Sequence, residues 1–249
     1  MHNKISIINI PQLKDNYAYI IQDKKNAVII DPAESLSIIN YIKNNNLNLL
    51  AILVTHHHDD HTSGIKDILK FKSIPVFSPN KNIIGTSNVI KNESTIDLDF
   101  IKFEVIETPG HTMDHIVFYN IDNNLLFSGD TLFRLGCGRV FEGTYNQMYN
   151  SLNKILNLDN ETMVYCGHEY TISNLNFLMN SFPNILELIE LKNIVNKQII
   201  DTGSSIPFKL GLEKKFNPFL STENNLYTEL KKSKNLDNVG MFSYLRDLK

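Results

Sequence analysis

The chain has 249 residues, room for one large domain or two of unequal size, and its 42% hydrophobic and 20% charged residues describe a globular protein. A formal charge of −3 excludes the basic field that a sequence-independent nucleic-acid binder needs. No apolar run reaches the ~18 residues of a membrane span, and Cys137 and Cys166 are too few and too far apart for a disulfide framework.

Short β-branched runs dominate the first two-thirds. Ile5–Ile10, Tyr17–Ile21 and Ala27–Ile30 read as strands separated by turn residues. Pro11 and polar residues follow the first run in place of a small-residue cleavage site, so no export signal is expected and the reducing cytoplasm is the simplest compartment. Asp31-Pro32 closes the third strand, and the spacing of Leu36, Ile39 and Ile42 predicts a helix over Ser35–Asn44. Leu49–Val54 is continuously apolar, as a strand buried on both faces would be. A helix over Thr62–Phe71 follows, then strands at Val76–Ser78, Ile101–Thr108, Ile116–Tyr119 and Leu125–Phe127. Tyr145–Leu156 has helical spacing, and Met163–Cys166 reads as a last buried strand. Beyond about Thr171 no strand-like run stands out. Leu186–Ile200, Thr222–Lys232 and Val239–Leu248 are helical candidates, and there is no internal repeat. The pattern divides the chain into an α/β domain, residues 1–173, and a smaller helical one, 174–249.

Chemistry concentrates in His56-His57-His58-Asp59-Asp60-His61, which follows a buried strand and opens a helix. Four of the eight histidines lie in these six residues, a density of imidazole and carboxylate that suits a first-row divalent ion. A solvated turn that binds metal adventitiously is the alternative. Against it, His111, Asp130 and His168 each follow a glycine just past a predicted strand, where α/β domains place their sites.

The pattern H-x-H-x-D-H from His56 to His61, with Gly110-His111, Gly129-Asp130 and Gly167-His168, resembles the metallo-β-lactamase superfamily. The phrases THHHDDH (Thr55–His61), GDTLF (Gly129–Phe133), GCGRVFEGT (Gly136–Thr144) and CGHEYT (Cys166–Thr171) are similar to the glyoxalase II, or hydroxyacylglutathione hydrolase, family over essentially the whole chain. The resemblance implies an αββα four-layer sandwich with a smaller all-helical C-terminal domain. It implies two divalent metal ions, zinc foremost, with iron or manganese as alternatives. By position, His56, His58 and His111 would hold one ion, Asp60, His61 and His168 the other, and Asp130 would bridge them. A metal-bridging hydroxide would attack the substrate's thioester carbonyl, with Asp60 orienting it; whether Asp60 also carries a proton is open. The substrate implied is a small-molecule S-(2-hydroxyacyl)glutathione, cleaved by a monomer that engages neither nucleic acid nor membrane. His115 is either a brace for this site or a plain structural histidine, and His57, Asp59 and Arg134 receive no metal duty. A persulfide dioxygenase, a lactonase and a non-catalytic metal-binding module are the rival readings.

Glutathione carries two carboxylates and calls for cations. Arg139, Phe141, Tyr170, Arg246 and Lys249 match the positions that grip it in the resembled family, where Phe141 stands in place of a tyrosine. Arg246-x-x-Lys249 would put both cations on one helical face, although a solvated helix end has the same composition. Arginine is confined to Arg134, Arg139 and Arg246, so two of three fall at carboxylate-binding positions. Tyr170 is either a contact or a packed aromatic. Asp114 stands where glycine is expected, Ser221 near the place of an arginine, and the chain stops at Lys249, where fraying would loosen that lysine. Both cysteines are expected to be structural.

Overall fold

The computed structural model describes residues 5–222 and 225–249, so residues 223–224 of the predicted Thr222–Lys232 helix lie outside it. It resolves into two compact units, Met1–Glu107 with Asp114–Asn123, and Thr108–Met113 with Asn124–Lys249.

The first unit runs β1 (Ser6–Gln12), β2 (Asn16–Gln22), β3 (Asn26–Ile30), α1 (Leu36–Asn44), β4 (Asn48–Leu53), α2 (Asp59–Thr62), α3 (Ile65–Phe71), β5 (Val76–Ser78), β6 (Asn88–Val89), β7 (Thr95–Asp97), β8 (Lys102–Glu107) and β9 (Ile116–Asn120). Strands β1 to β6 form one sheet in sequence order. The first three, joined by short turns, are antiparallel; β3 to β6 are parallel, as the longer crossovers between them permit. The cross-strand partners Ile20, Ile29 and Ile52 meet Ile38 and Ile42 of α1 and Ile65 and Ile68 of α3 in one core. Each such isoleucine contributes ~1.5–3 kcal/mol by leaving water. A separate antiparallel ladder joins β7, β8 and β9.

Two boundaries differ from the sequence reading. Strand β1 continues through Pro11, paired with Tyr17; it is an edge strand, where the missing N–H is tolerated. The single helix expected over Thr62–Phe71 is two, α2 and α3, interrupted at Ser63–Gly64. Gly64 donates its N–H to Pro32 O at 2.9 Å, and a Cβ there would lie 2.8 Å from the Glu34 carbonyl carbon. The break presses the chain after the metal-type motif onto the end of β3.

The second unit contains β10 (Leu125–Gly129), β11 (Leu132–Phe133), β12 (Gly136–Cys137), α4 (Tyr145–Leu156), β13 (Met163–Cys166), α5 (Thr171–Ser181), α6 (Glu187–Thr202), β14 (Phe208–Lys209), α7 (Leu210–Phe216), α8 (Thr228–Ser233) and α9 (Asn238–Leu248). Helix α4 starts at a capping box in which Thr144 and Gln147 satisfy each other's backbone N–H groups. Strands β10 and β13 pair in parallel. The expectation that no strand follows Thr171 is corrected by β14, a two-residue strand antiparallel to β13 and too short to leave a periodic signal. Helices α5, α6 and α7 enclose a core of Leu175, Leu178, Leu188, Leu191, Val195 and Phe216. Leu135 enters that core from the turn between β11 and β12, with φ at 60°. A bulky residue held there costs ~1–3 kcal/mol, which burial of its side chain, ~1.5–3 kcal/mol, offsets.

Candidate metal centre

In the first unit, β4 ends just before His56. Asp31, at the end of the neighbouring β3, is buried and accepts hydrogen bonds from Thr55 N–H at 2.8 Å and Thr55 Oγ1 at 2.7 Å, while the His61 ring presents Nδ1 at 3.1 Å. Because the Thr55 hydroxyl proton goes to Asp31, its oxygen accepts from His56 Nδ1, 3.0 Å away. With Nδ1 engaged in this way on both imidazoles, Nε2 is the nitrogen that each can offer to an ion. His56 Nε2 lies 3.1 Å from His58 Nδ1. Asp59 and Asp60 occupy the first turn of α2, and Asn16 Nδ2 donates to Asp60 Oδ2 at 2.9 Å. The buried His115 ring stacks on His56 with centroids 4.8 Å apart.

In the second unit, β10 and β13 run parallel; Asp130 follows the end of β10 directly, and His168 lies two residues past the end of β13. Asp130 Oδ2 faces His111 Nε2 at 3.4 Å and His168 Nε2 at 3.3 Å. His111 Nδ1 donates to Arg139 O at 2.8 Å, which turns its Nε2 to the Asp130 carboxylate. A buried carboxylate with two imidazole nitrogens turned to it is a donor set of the kind that divalent ions take. The donor set therefore fits a metal. Such side chains gather within each unit: His56, His58 and His61 in the first, and His111, Asp130 and His168 in the second.

The other residues singled out from sequence fall as follows. His57 Nδ1 meets Asp114 Oδ1 at 2.9 Å, and Asp114 in turn accepts from Asn80 Nδ2 at 3.3 Å. Asp114 lies outside the positive-φ region, so its departure from glycine strains no backbone. Arg139 and Phe141 are exposed, the Phe141 ring 5.2 Å from that of His111. Tyr170 is packed: its ring stacks on His168 at 4.7 Å and takes the edge of Phe133 at 5.2 Å. Arg246 donates to Cys137 O at 3.3 Å and lies over the Phe219 ring. Lys249 shares the Phe219 ring and donates to Asn174 Oδ1, so the two cations occupy one face of the end of α9. Both cysteines are free and buried, and burial pushes both thiols up, which leaves them unreactive.

Sequence reasoning missed Asp31 and Asn16, which orient donors from far along the chain. It also left Arg134 unexplained; the guanidinium is buried and donates to Ser205 O at 2.7 Å and Gln198 Oε1 at 2.8 Å. Glu213, fully buried nearby, has its carboxyl pushed up to about 7 by burial, against the opposing pull of Leu135 N–H, Arg134 and Asn217. An acid beside a proline at a strand end was the one local hint of Asp31.

Strand-end histidines and aspartates on this scaffold define the metallo-β-lactamase superfamily, and the chain belongs to it: the model of that superfamily matches residues 13–83 and 78–168. The solved B3 metallo-β-lactamase BLEG-1 shares the fold with 26% identity and a TM-score of 0.66, covering 87% of this chain and 100% of its own. The remainder, residues 169–249, matches the model described as "Hydroxyacylglutathione hydrolase C-terminus". Hydroxyacylglutathione hydrolases of Pectobacterium atrosepticum and Buchnera aphidicola subsp. Baizongia pistaciae are 40% and 42% identical over 98% of this chain and 99% of theirs. Within the superfamily, then, the chain belongs to the hydroxyacylglutathione hydrolase family. Its fold is the family's: an αββα sandwich followed by a helical C-terminal domain. Among the described residues no helix is long and apolar enough to cross a membrane.

Proposed function

We propose that this protein hydrolyses S-(2-hydroxyacyl)glutathione, with S-D-lactoylglutathione as the physiological substrate. The products are a 2-hydroxy acid (D-lactate) and glutathione, the second step of methylglyoxal detoxification. The observation that carries this reading is 40–42% identity along 98% of the chain to proteins named hydroxyacylglutathione hydrolase, with the C-terminal match included.

In this reading His56, His58 and His111 hold one divalent ion, Asp60, His61 and His168 the other, and Asp130 both. Zinc is the first choice for such ligands, and iron or manganese the alternatives. Ions bound there would supply Lewis acidity, lowering the pKa of a bound water from ~15.7 towards ~7 and polarising the thioester carbonyl. The protein's own part is orientation. Asp31 and Thr55 fix the His61 and His56 rings, and Asn16 holds the Asp60 carboxylate that directs the attacking water. The leaving thiolate, of pKa ~8.5, needs no dedicated general acid. Arg139, Tyr170, Arg246 and Lys249 bind the glutathione moiety, and Phe141 supplies an apolar contact where relatives have a hydroxyl. Residues 1–173 form the catalytic domain and 174–249 the glutathione-binding one, in a cytoplasmic monomer.

The test compares S-D-lactoylglutathione with the lactoyl thioester of a thiol that lacks both carboxylates, on metal-loaded protein. Fast hydrolysis of the first and poor hydrolysis of the second is expected. Equal rates would remove the glutathione site, and no turnover of either, with two metals bound, would overturn the substrate. A single bound iron per chain would favour the dioxygenase reading.

A further inference from the structure

The segment from Phe133 to Cys137 joins the donor Asp130 to the residues assigned above to glutathione, and it is held from one side by buried polar groups of the helices. Glu213 Oε2 accepts the Leu135 N–H at 2.6 Å and a hydrogen bond from Asn217 Nδ2 at 2.9 Å. Asn217 Nδ2 also donates to Gly136 O at 3.0 Å. Asn174 Nδ2 donates to Arg134 O at 2.8 Å and, through its Oδ1, accepts from Lys249. On its other side the same segment presents the Phe133 ring edge-on to both His168 and Tyr170, and Cys137 O to Arg246. Leu135 has a left-handed backbone that a leucine does not adopt unaided. An acceptor at the Leu135 N–H is what keeps the segment in that shape, because a buried N–H without a partner would unmake it.

We propose that Glu213 is a positioning residue for glutathione. By clamping the Leu135 backbone it fixes the turn in the one conformation that braces Tyr170 through Phe133 and gives Arg246 its Cys137 carbonyl. Glu213 touches neither substrate nor metal donors; it acts through the turn. The inference rests on the functional reading above, in that the groups being positioned are the glutathione grips.

Steady-state kinetics of Glu213→Gln, Glu213→Leu and Asn217→Ala would be measured with S-D-lactoylglutathione and with the carboxylate-free lactoyl thioester, alongside metal content and melting temperature. For Glu213→Leu the KM for the glutathione thioester rises tenfold or more, while kcat on the carboxylate-free thioester stays within twofold and two metals remain bound. Glu213→Gln, which keeps one acceptor for Leu135, recovers to within threefold of the parent KM. Asn217→Ala gives an intermediate rise, and decides the matter should Glu213→Leu fail to fold. Unchanged KM in the folded variants, or an equal loss on both thioesters, overturns the inference in favour of a merely structural acid. Parent protein that neither turns over lactoylglutathione nor binds S-hexylglutathione by calorimetry overturns the functional reading, and the inference with it. Parent protein that binds S-hexylglutathione while all variants bind it equally overturns the inference alone.

Discussion

Gly138 lies at a tight backbone approach in the second unit, and replacing it by alanine tests how firmly Asp130 is set. A Cβ at Gly138 would sit 1.9 Å from Asp130 O and 3.2 Å from His111 Nδ1. Carbon and carbonyl oxygen ordinarily meet no closer than ~3.3 Å, a shortfall of about 1.4 Å. The obstacle is main chain rather than a flexible tip, and Gly138 N–H is itself bonded to Thr131 O at 3.3 Å, so relief requires moving the Asp130 segment. Metal–ligand distances tolerate only ~0.2 Å. A displacement of even a third of the shortfall therefore exceeds what coordination allows. The expected result for Gly138→Ala is metal affinity weakened ten- to a hundredfold, ~1.4–2.7 kcal/mol. Overpacking adds a loss of fold stability of ~1–3 kcal/mol. Chelator competition gives the affinity, elemental analysis the metal content, and thermal melting the folded fraction at which activity is compared. A folded Gly138→Ala protein with parental affinity and turnover would show that the turn relaxes independently of Asp130, and would refute the reasoning.

Asp31→Asn leaves one oxygen and one NH2 where the carboxylate used both oxygens, so either the Thr55 N–H or the pair formed by the His61 ring and the Thr55 hydroxyl loses its acceptor; metal affinity should fall ten- to a hundredfold by chelator competition, and an unchanged value would deny the role of Asp31 in setting the rings. Desolvation, with Arg246 and Arg139 adding to it, pushes the Lys249 ammonium down to about 8, so the cation is present below that pH and is lost above it. KM for the glutathione thioester should accordingly rise several-fold between pH 7 and 9, and Lys249→Met should show a raised KM without that rise; a parental profile in the variant would exclude the lysine. Gly203→Ala adds a methyl with nothing within 4 Å but at a φ of 77°, so it should cost ~1 kcal/mol, a melting shift of ~2–4 °C, and leave metal content and turnover as they were.

Local signals carried much of the fold. The limits of α4 follow from Thr144 and Gln147, whose reciprocal caps are three residues apart, and the strands of the first unit follow from β-branched alternation. The positions of His56, Asp130 and His168 just past strands were likewise legible, since a strand end is written in its own neighbourhood. What escaped was whatever depends on distant pairing. Asp31 meets His61 thirty residues on, and Glu213 meets Leu135 across seventy-eight. Neither has a sequence neighbour that betrays the partner. Strand β14 exists because β13 offers it an edge, and α5 hides its helical face among asparagines, one of which, Asn174, is buried to bond Arg134 O. The rupture between α2 and α3 is also tertiary in origin: it comes from Pro32 and Glu34 pressing on Gly64.

The crowding of His56, His58, Asp60 and His61 into six residues bears on how the chain acquires its shape. These donors need no long loop to be closed before they meet, whereas His111, Asp130 and His168 are brought together by parallel strands and turns. The nascent or denatured chain thus already owns a chelating hexapeptide. Metal added to unfolded protein will find a partner there, and the ion's preference for the native state shrinks by that residual affinity. Melting temperature should then climb less steeply with metal concentration than the native affinity alone dictates. Refolding from denaturant should also proceed best when metal is supplied after the strands have formed, not before.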